Sequence, residues 1–294
     1  MPELFEIKSR ISGIKNIYNI TYAMQIVTIS RLKRIKDAMH QNQVSLDDIS
    51  YSLRYLLSEK EEFYTSFFNP EVKSTKAPLL VLFFSNRGFC GSFNLEILDK
   101  AKAYCRDNGL SFKKIKKICV GKKAREVVKA GSEDASFRFF EPKKDTFSFE
   151  DGVQLEAILK EYLAQKRKIF FVYFYYKSVV TQHVRIEQVF PPDPESVCHG
   201  MTLKVGRPHF TDPSFLHVQQ QIQDQHFYLK MLQAIRHSST SEFSQRFLLM
   251  KKAVENVKEL EEELTLKLNK ERQRMITQEI SEIISTFKSI QKDG

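Results

Sequence analysis

Both ends of the chain carry apolar residues at helical spacing over long stretches with almost no helix breakers. From Glu3 to about Ser58 there is no internal proline, and Gly13 is the one glycine. Leu4, Ile7, Ile11, Ile14 and Ile17, then Met24, Val27, Leu32, Ile35 and Met39, recur mostly in steps of three and four, the period of an amphipathic helix. Beyond Pro213 the pattern resumes and runs without glycine or proline to about Ile290, through Phe215, Val218, Ile222, Leu229, Leu232 and Ile235 to Ile280, Ile283, Ile284 and Phe287. At about 1.5 Å per residue, helices of this size reach roughly 80 Å and 115 Å. Helices without a local core bury their apolar faces on one another, so the two ends are expected to pair as a long antiparallel coiled coil.

Between them the period changes. Leu79 to Phe84 is a continuous apolar strand that runs into Ser85-Asn-Arg-Gly-Phe-Cys-Gly-Ser-Phe-Asn94. A helix to about Asp107, a strand from Ile115 to Val120, a helix after Gly121, a strand at Phe137 to Phe140, a helix around Val153 to Gln165 and strands at Ile169 to Tyr175 and Thr181 to Phe190 follow. Strands alternating with helices predict a mainly parallel sheet covered on both faces. The proline-marked stretches from Asn69 to Pro78 and from Pro191 to Pro213 bound this part. The expected organisation is therefore a helix over residues 1–60, an α/β domain of Rossmann-like type over 61–212 and a second helix over 213–294.

The turn at Gly88, Cys90, Gly91 and Asn94 stands between a strand and a helix, where a phosphate cradle would stand. It lacks G-x-x-x-x-G-K-[ST], and its G-x-x-G spacing lacks the first glycine of the dinucleotide fingerprint. We read it as a structural turn, with nucleotide binding as the alternative, and read Cys90 as a small apolar filler rather than a nucleophile. No histidine falls in H-E-x-x-H and there is no G-x-S-x-G elbow. Glu255, Glu259, Glu261, Glu262 and Glu263 interleave with Lys251, Lys252, Lys258 and Lys267, as on a solvated helix face. No cofactor or metal is implied.

The formal charge of +10 invites a polyanion, and seven Lys or Arg without an acid crowd Lys113 to Arg125, yet no nucleic-acid-reading module accompanies them. That cluster reads as a solvated edge, while Arg31, Lys33, Arg34 and Lys36 read as a face for an acidic protein partner. Cysteines at 90, 105, 119 and 198 form neither a C-x-x-C pair nor a disulfide framework, which fits a reducing compartment. With Glu3, Glu6, Lys8 and Arg10 in its first ten residues the chain is expected to carry no signal or transit peptide, and the apolar run from Ile169 to Tyr176 is strand length, short of the ~20 residues of a membrane helix.

Three blocks then resemble the gamma-subunit family of the F-type ATP synthases. Ile7-Lys-Ser-Arg-Ile-Ser-Gly-Ile-Lys-Asn16 with Ile20-Thr-Tyr-Ala-Met24 resembles the family's I-K-x-R-I-x-S-V-K-N…I-T-K-A-M. The Ser85 to Asn94 turn resembles S-D-R-G-L-C-G-G-x-N, and Leu264 to Ile283 resembles L-T-L-x-Y-N-K-A-R-Q-A-x-I-T-x-E-I-x-E-I. Tyr22, Asn86 and Ser92 depart from these patterns, as do Gln245, Phe247 and Leu249 in the stretch from Ser241 to Met250. The resemblance implies a non-catalytic rotor shaft turning inside a hexamer of alpha and beta subunits. It further implies an α/β domain on the epsilon subunit and the c-ring, at the cytoplasmic face of a bacterial plasma membrane and peripheral to it, coupling ion transport to ATP synthesis, with no nucleic acid bound. The family's rotor contacts fall on Met24, Arg246, Arg272, Gln273, Thr277, Glu279 and Glu282, and Arg31, Lys33 and Arg34 add the cationic side of an ionic track.

Overall fold

The computed structural model describes residues 2–59, 67–68, 77–129, 136–193 and 215–290. Most of both proline-marked stretches, with Cys198, His199 and His209, lies outside them. Among the described residues the main elements run in the order helix α1 (Pro2–Glu59), strand β1 (Leu79–Phe83), α2 (Phe93–Asp107), β2 (Lys116–Val120), α3 (Ala124–Lys129), β3 (Phe137–Phe140), α4 (Phe149–Leu163), β4 (Ile169–Tyr176), β5 (Gln182–Phe190) and α5 (Phe215–Ile290). The helices and strands expected from periodicity are present, with ends shifted by a few residues. Packing divides the chain into two compact units, Met1–Ile29 with Phe247–Gly294, and Ser30–Arg246.

The first unit is an antiparallel pair made by the start of α1 and the distal part of α5. Lys15 reaches Glu261 at 3.6 Å. One turn further along α1 and one turn back along α5, Lys258 lies over the Tyr18 ring at 5.7 Å. Ile7, Met250 and Val254 are buried. A two-helix pair offers each helix a single contact stripe, narrower than the apolar faces written into these sequences. Hence Ile17, Ile20, Met24, Ile26, Val27, Ile29, Leu266, Ile276, Ile280, Ile283 and Ile284 stay exposed, including several residues that periodicity alone assigned to the seam.

The second unit is built on a five-stranded sheet of order β3-β2-β1-β4-β5. β1 pairs in parallel with β2 and β4, and β2 with β3. Only β5 runs antiparallel, against β4, because a tight turn closed by Ser178 N donating to Thr181 O at 3.0 Å joins the two. Every residue of β1 is buried, and alternate residues serve opposite faces. Leu79, Val81 and Phe83 join Leu155 and Leu159 of α4 and Phe227, Met231, Ala234 and Ile235 of α5. Leu80 and Leu82 join Phe93, Ile97 and Ala101 of α2 and Ala124 and Val128 of α3. The sheet is thus sandwiched, as its unbroken hydrophobic central strands require. α1 and α5 are antiparallel here too, since Gln43 accepts from Gln233 at 2.9 Å and Thr240 approaches Met39 Sδ at 3.9 Å.

One expectation about charge is corrected. Within the basic stretch from Lys113 to Arg125, Lys117 is not on a solvated edge but 1% exposed. Its ammonium lies 4.4 Å from the centres of both the Phe112 and Phe137 rings and donates to the Phe112 carbonyl. Two ring faces and a carbonyl replace the water that a lysine otherwise keeps.

Candidate functional site

The glycine turn follows the end of β1 directly. Ser85 and Asn94, nine residues apart, close it: Asn94 Oδ1 accepts from Ser85 N at 2.9 Å and Asn94 Nδ2 donates to Ser85 Oγ at 2.8 Å. Cys90 is buried between them, its Sγ 3.5 Å from Ser85 Oγ. Burial pushes the thiol pKa up, which makes it a poor nucleophile. Gly91 adopts φ 62° and Phe89 φ 59°, while Gly88 needs no positive φ and meets open space where a side chain would be. Phe89 therefore carries a left-handed backbone conformation that a bulky residue rarely adopts, and its ring is 68% exposed at the tip of the turn.

What holds the turn lies about 155 residues away on α5. Glu242 accepts from the amides of Asn86 at 3.2 Å and Arg87 at 3.4 Å. Arg246, one helical turn on, donates from Nε to Gly88 O at 3.1 Å, and from Nη2 to Arg87 O at 3.2 Å and to Glu242 at 2.6 Å. Both side chains are buried. Complete burial pushes the Glu242 carboxyl pKa up, opposed by the Arg246 guanidinium and by the turn amides. The pair is a clamp with two polarities, the carboxylate on the donors of the turn and the guanidinium on its acceptors. Two of the amides that a phosphate cradle would aim at an anion are thereby already engaged.

A second attachment comes from the loop before α4. Asn86 Nδ2 donates to Asp145 O at 3.0 Å, Arg87 Nε donates to the Asp145 carboxylate at 2.9 Å, and Lys122 Nζ approaches that carboxylate at 3.5 Å. The hydrogen bond from Arg87 holds the Asp145 carboxyl below the ordinary carboxylate range. Gly121, at φ 126°, passes so close to β1 that a Cβ there would stand 2.4 Å from Phe84 O.

The sequence-derived positions separate into three places. Gly88, Cys90, Gly91 and Asn94 form the turn, and Arg246 is buried against it. Met24, Arg272, Gln273, Thr277, Glu279 and Glu282 lie on the first unit, where Met24 is 41% exposed and the other five are exposed. Lys33 and Arg34 are exposed and Arg31 is half-buried on the α1 part of the second unit. Sequence reasoning missed Asp145, Glu242 as an anchor and Phe89 as the exposed tip; only the four-residue spacing of Glu242 and Arg246 offered a signal. Among the described residues no group of three or more His, Cys, Asp or Glu could hold a metal ion, and no helix is long and apolar enough to cross a membrane.

Comparison with known proteins covers nearly the whole chain. A family model described as ATP synthase matches residues 3–290. The ATP synthase gamma chain of Christiangramia forsetii is 32% identical over 286 residues, 97% of each chain. That of Geotalea uraniireducens is 27% identical over 294 residues, 99% of each. Among solved structures, a chain in the OSCP/F1/c-ring part of the Euglena gracilis mitochondrial ATP synthase superposes with a TM-score of 0.66 at 19% identity, covering 98% of this chain and 95% of that one. A chain of the Tetrahymena thermophila central stalk and c-ring superposes with a TM-score of 0.58 at 18% identity, covering 80% and 99%. A five-stranded α/β body whose glycine turn is clamped to the second long helix, together with a sequence match from residue 3 to residue 290, places the chain in the ATP synthase gamma family.

Proposed function

We propose that the chain is the central shaft of a rotary ATP synthase, turning within a hexamer of alpha and beta subunits while its α/β domain rests on the epsilon subunit and the c-ring. Catalysis belongs to the beta subunits. The shaft sets which catalytic site is open, because an asymmetric rod touches chemically identical sites differently. The observation that carries this reading is the match over residues 3–290. The exposed apolar stripes of the first unit support it as well, since contiguous apolar surface of this kind marks a contact with another protein. Met24, Arg272, Gln273, Thr277, Glu279 and Glu282 are the bearing contacts, with Arg31, Lys33 and Arg34 on an ionic track facing acidic loops. Exposed ion pairs of about 0 to 1 kcal/mol form and break readily, as a bearing needs. The setting is the cytoplasmic face of a bacterial plasma membrane, where ion transport through the membrane sector drives rotation.

Co-expression with alpha and beta subunits tests the reading. An active, nucleotide-hydrolysing complex containing the chain is the expected product, while the purified chain alone hydrolyses nothing. A chain that never joins such a complex, or one that binds ATP tightly and saturably by itself, refutes it in favour of a nucleotide-binding regulator or scaffold.

A further inference from the structure

Besides the clamp, the second unit contains a cleft of about 150 Å³ lined by Ile35, residues 145–149 of the loop entering α4, and one face of α5 from Tyr228 to Phe243. Its walls are mostly apolar: Ile35, Phe147, Phe149, Leu232, Ile235 and Phe243. One cation enters it. Arg236 is half-buried, its Nε is enclosed without a hydrogen-bond partner, and it forms no ion pair with any described residue. The acid that shares the cleft, Asp145, is engaged elsewhere, paired with Arg87 and Lys122. Burial lowers the Arg236 pKa with no carboxylate to oppose it, only the Tyr228 hydroxyl. The enclosed Nε and partial burial cost this guanidinium some of its hydration without a counter-charge in return, and a carboxylate brought to its remaining donors in the cleft offsets part of that cost.

We propose that this cleft binds a carboxylate carried on a short apolar or aromatic body, the carboxylate on Arg236 and the body between Phe147, Leu232 and Phe243. The volume decides the size. A cleft of about 150 Å³ has room for a small acid or a single acidic side chain. The apolar walls separate it from an inorganic-phosphate site, which needs several converging donors.

Calorimetric titration of the full-length chain with benzoate tests this, with inorganic phosphate in parallel. The expected result is saturable one-site binding of benzoate, at least tenfold weaker in Arg236→Gln and weaker again in Leu232→Phe, which keeps the charge but narrows the cleft. Circular dichroism checks that both variants fold; if Arg236→Gln does not, Leu232→Phe carries the test. Equal binding by wild type and variants, no saturable binding, or phosphate binding as tightly as benzoate would overturn the proposal. Repeating the titration on the complex purified from cells through this chain distinguishes the sources. Binding retained there identifies a free small acid, and binding lost on assembly identifies an acidic side chain of a partner subunit. The titration of the free chain does not depend on the rotor reading.

Discussion

Arg246→Ala is the most informative single change, because a purely external contact and an internal clamp predict opposite results for the free chain. Removing the guanidinium leaves Glu242 charged, fully buried and without its cation, and breaking one side of a buried pair costs about 3–5 kcal/mol. Arg87 O and Gly88 O lose donors as well, at about 1 kcal/mol each if water does not replace them. Replacing the pair by apolar residues does not rescue the fold here, since the Asn86 and Arg87 amides lose their acceptor. The more conservative Arg246→Lys keeps the charge but cannot reach two carbonyls and a carboxylate at once, so about 1–3 kcal/mol is expected. The pH dependence has a definite sign. Burial raises the Glu242 pKa in the folded state while the Arg246 guanidinium and the turn amides oppose the rise, so once the cation is gone the charged form costs more, and stability falls further as pH rises through the folded value. The Ala variant lacks the opposing cation, so its deficit relative to wild type is expected to be larger at the higher of two pH values such as 5.5 and 8. Urea denaturation of the full chain at both pH values, followed by tyrosine fluorescence and far-ultraviolet ellipticity, measures these quantities. A deficit of about 0.5 kcal/mol or less, as for an ordinary surface substitution, or one independent of pH, refutes the clamp.

The remaining predictions concern the same unit and the distal helix. His226 and His237 are buried with pKa values lowered to about 4, chiefly by burial, so their neutral forms stabilise the fold above pH 6.5, and that contribution is lost between about 6.5 and 4. At 1.36 kcal/mol per unit this is up to about 3 kcal/mol for each, and a His226→Gln, His237→Gln double variant should show a flatter acid-unfolding profile over that range. Gly121→Ala combines a positive φ with a Cβ 2.4 Å from backbone, so a loss of at least about 3 kcal/mol in the same urea assay is expected, and a near-neutral result would contradict the close approach. Burial pushes the Cys119 thiol up to about 12 and raises those of Cys90 and Cys105. Mass-spectrometric thiol labelling at pH 8 should therefore modify these three only under unfolding conditions. Gln273→Ala and Arg272→Ala, on an exposed face, should change the stability of the free chain by less than about 0.5 kcal/mol. As bearing contacts, they should lower turnover of the assembled complex, and unchanged turnover would remove them from the bearing.

The strands were legible because their signals are local. Leu79 to Phe83 is continuous and apolar as a strand buried on both faces must be, and Gln182 to Phe190 alternates as an edge strand does. The turn was legible from its glycines, but that Phe89 shares a left-handed backbone with Gly91 was not. What holds the turn was not legible, since Glu242 and Asn86 lie 156 positions apart. Arginine, glutamate and lysine read as surface by default, so the burial of Arg246, Glu242 and Lys117 required the fold. The stretch from Ser238 to Ser244 misleads in the same way. Its side chains are mostly polar, yet Ser238, Thr240, Ser241 and Ser244 are all buried. Small side chains there let α5 approach β1 closely enough for Ser238 to donate to Phe83 O at 3.2 Å, which a row of leucines would prevent.

That close approach explains why a buried ion pair, a weak source of stability in most settings, fits this place. A turn leaving the end of a strand presents two amides and two carbonyls to whatever covers it, and no apolar residue can satisfy either kind. A single polar residue satisfies one kind and leaves the other. Glutamate and arginine one helical turn apart satisfy both, and each neutralises the charge that the other would otherwise leave buried. The arrangement tolerates little slippage, because sliding α5 along its axis by one residue, about 1.5 Å, would carry both groups away from their partners. The clamp thus fixes the register of α5 against the sheet.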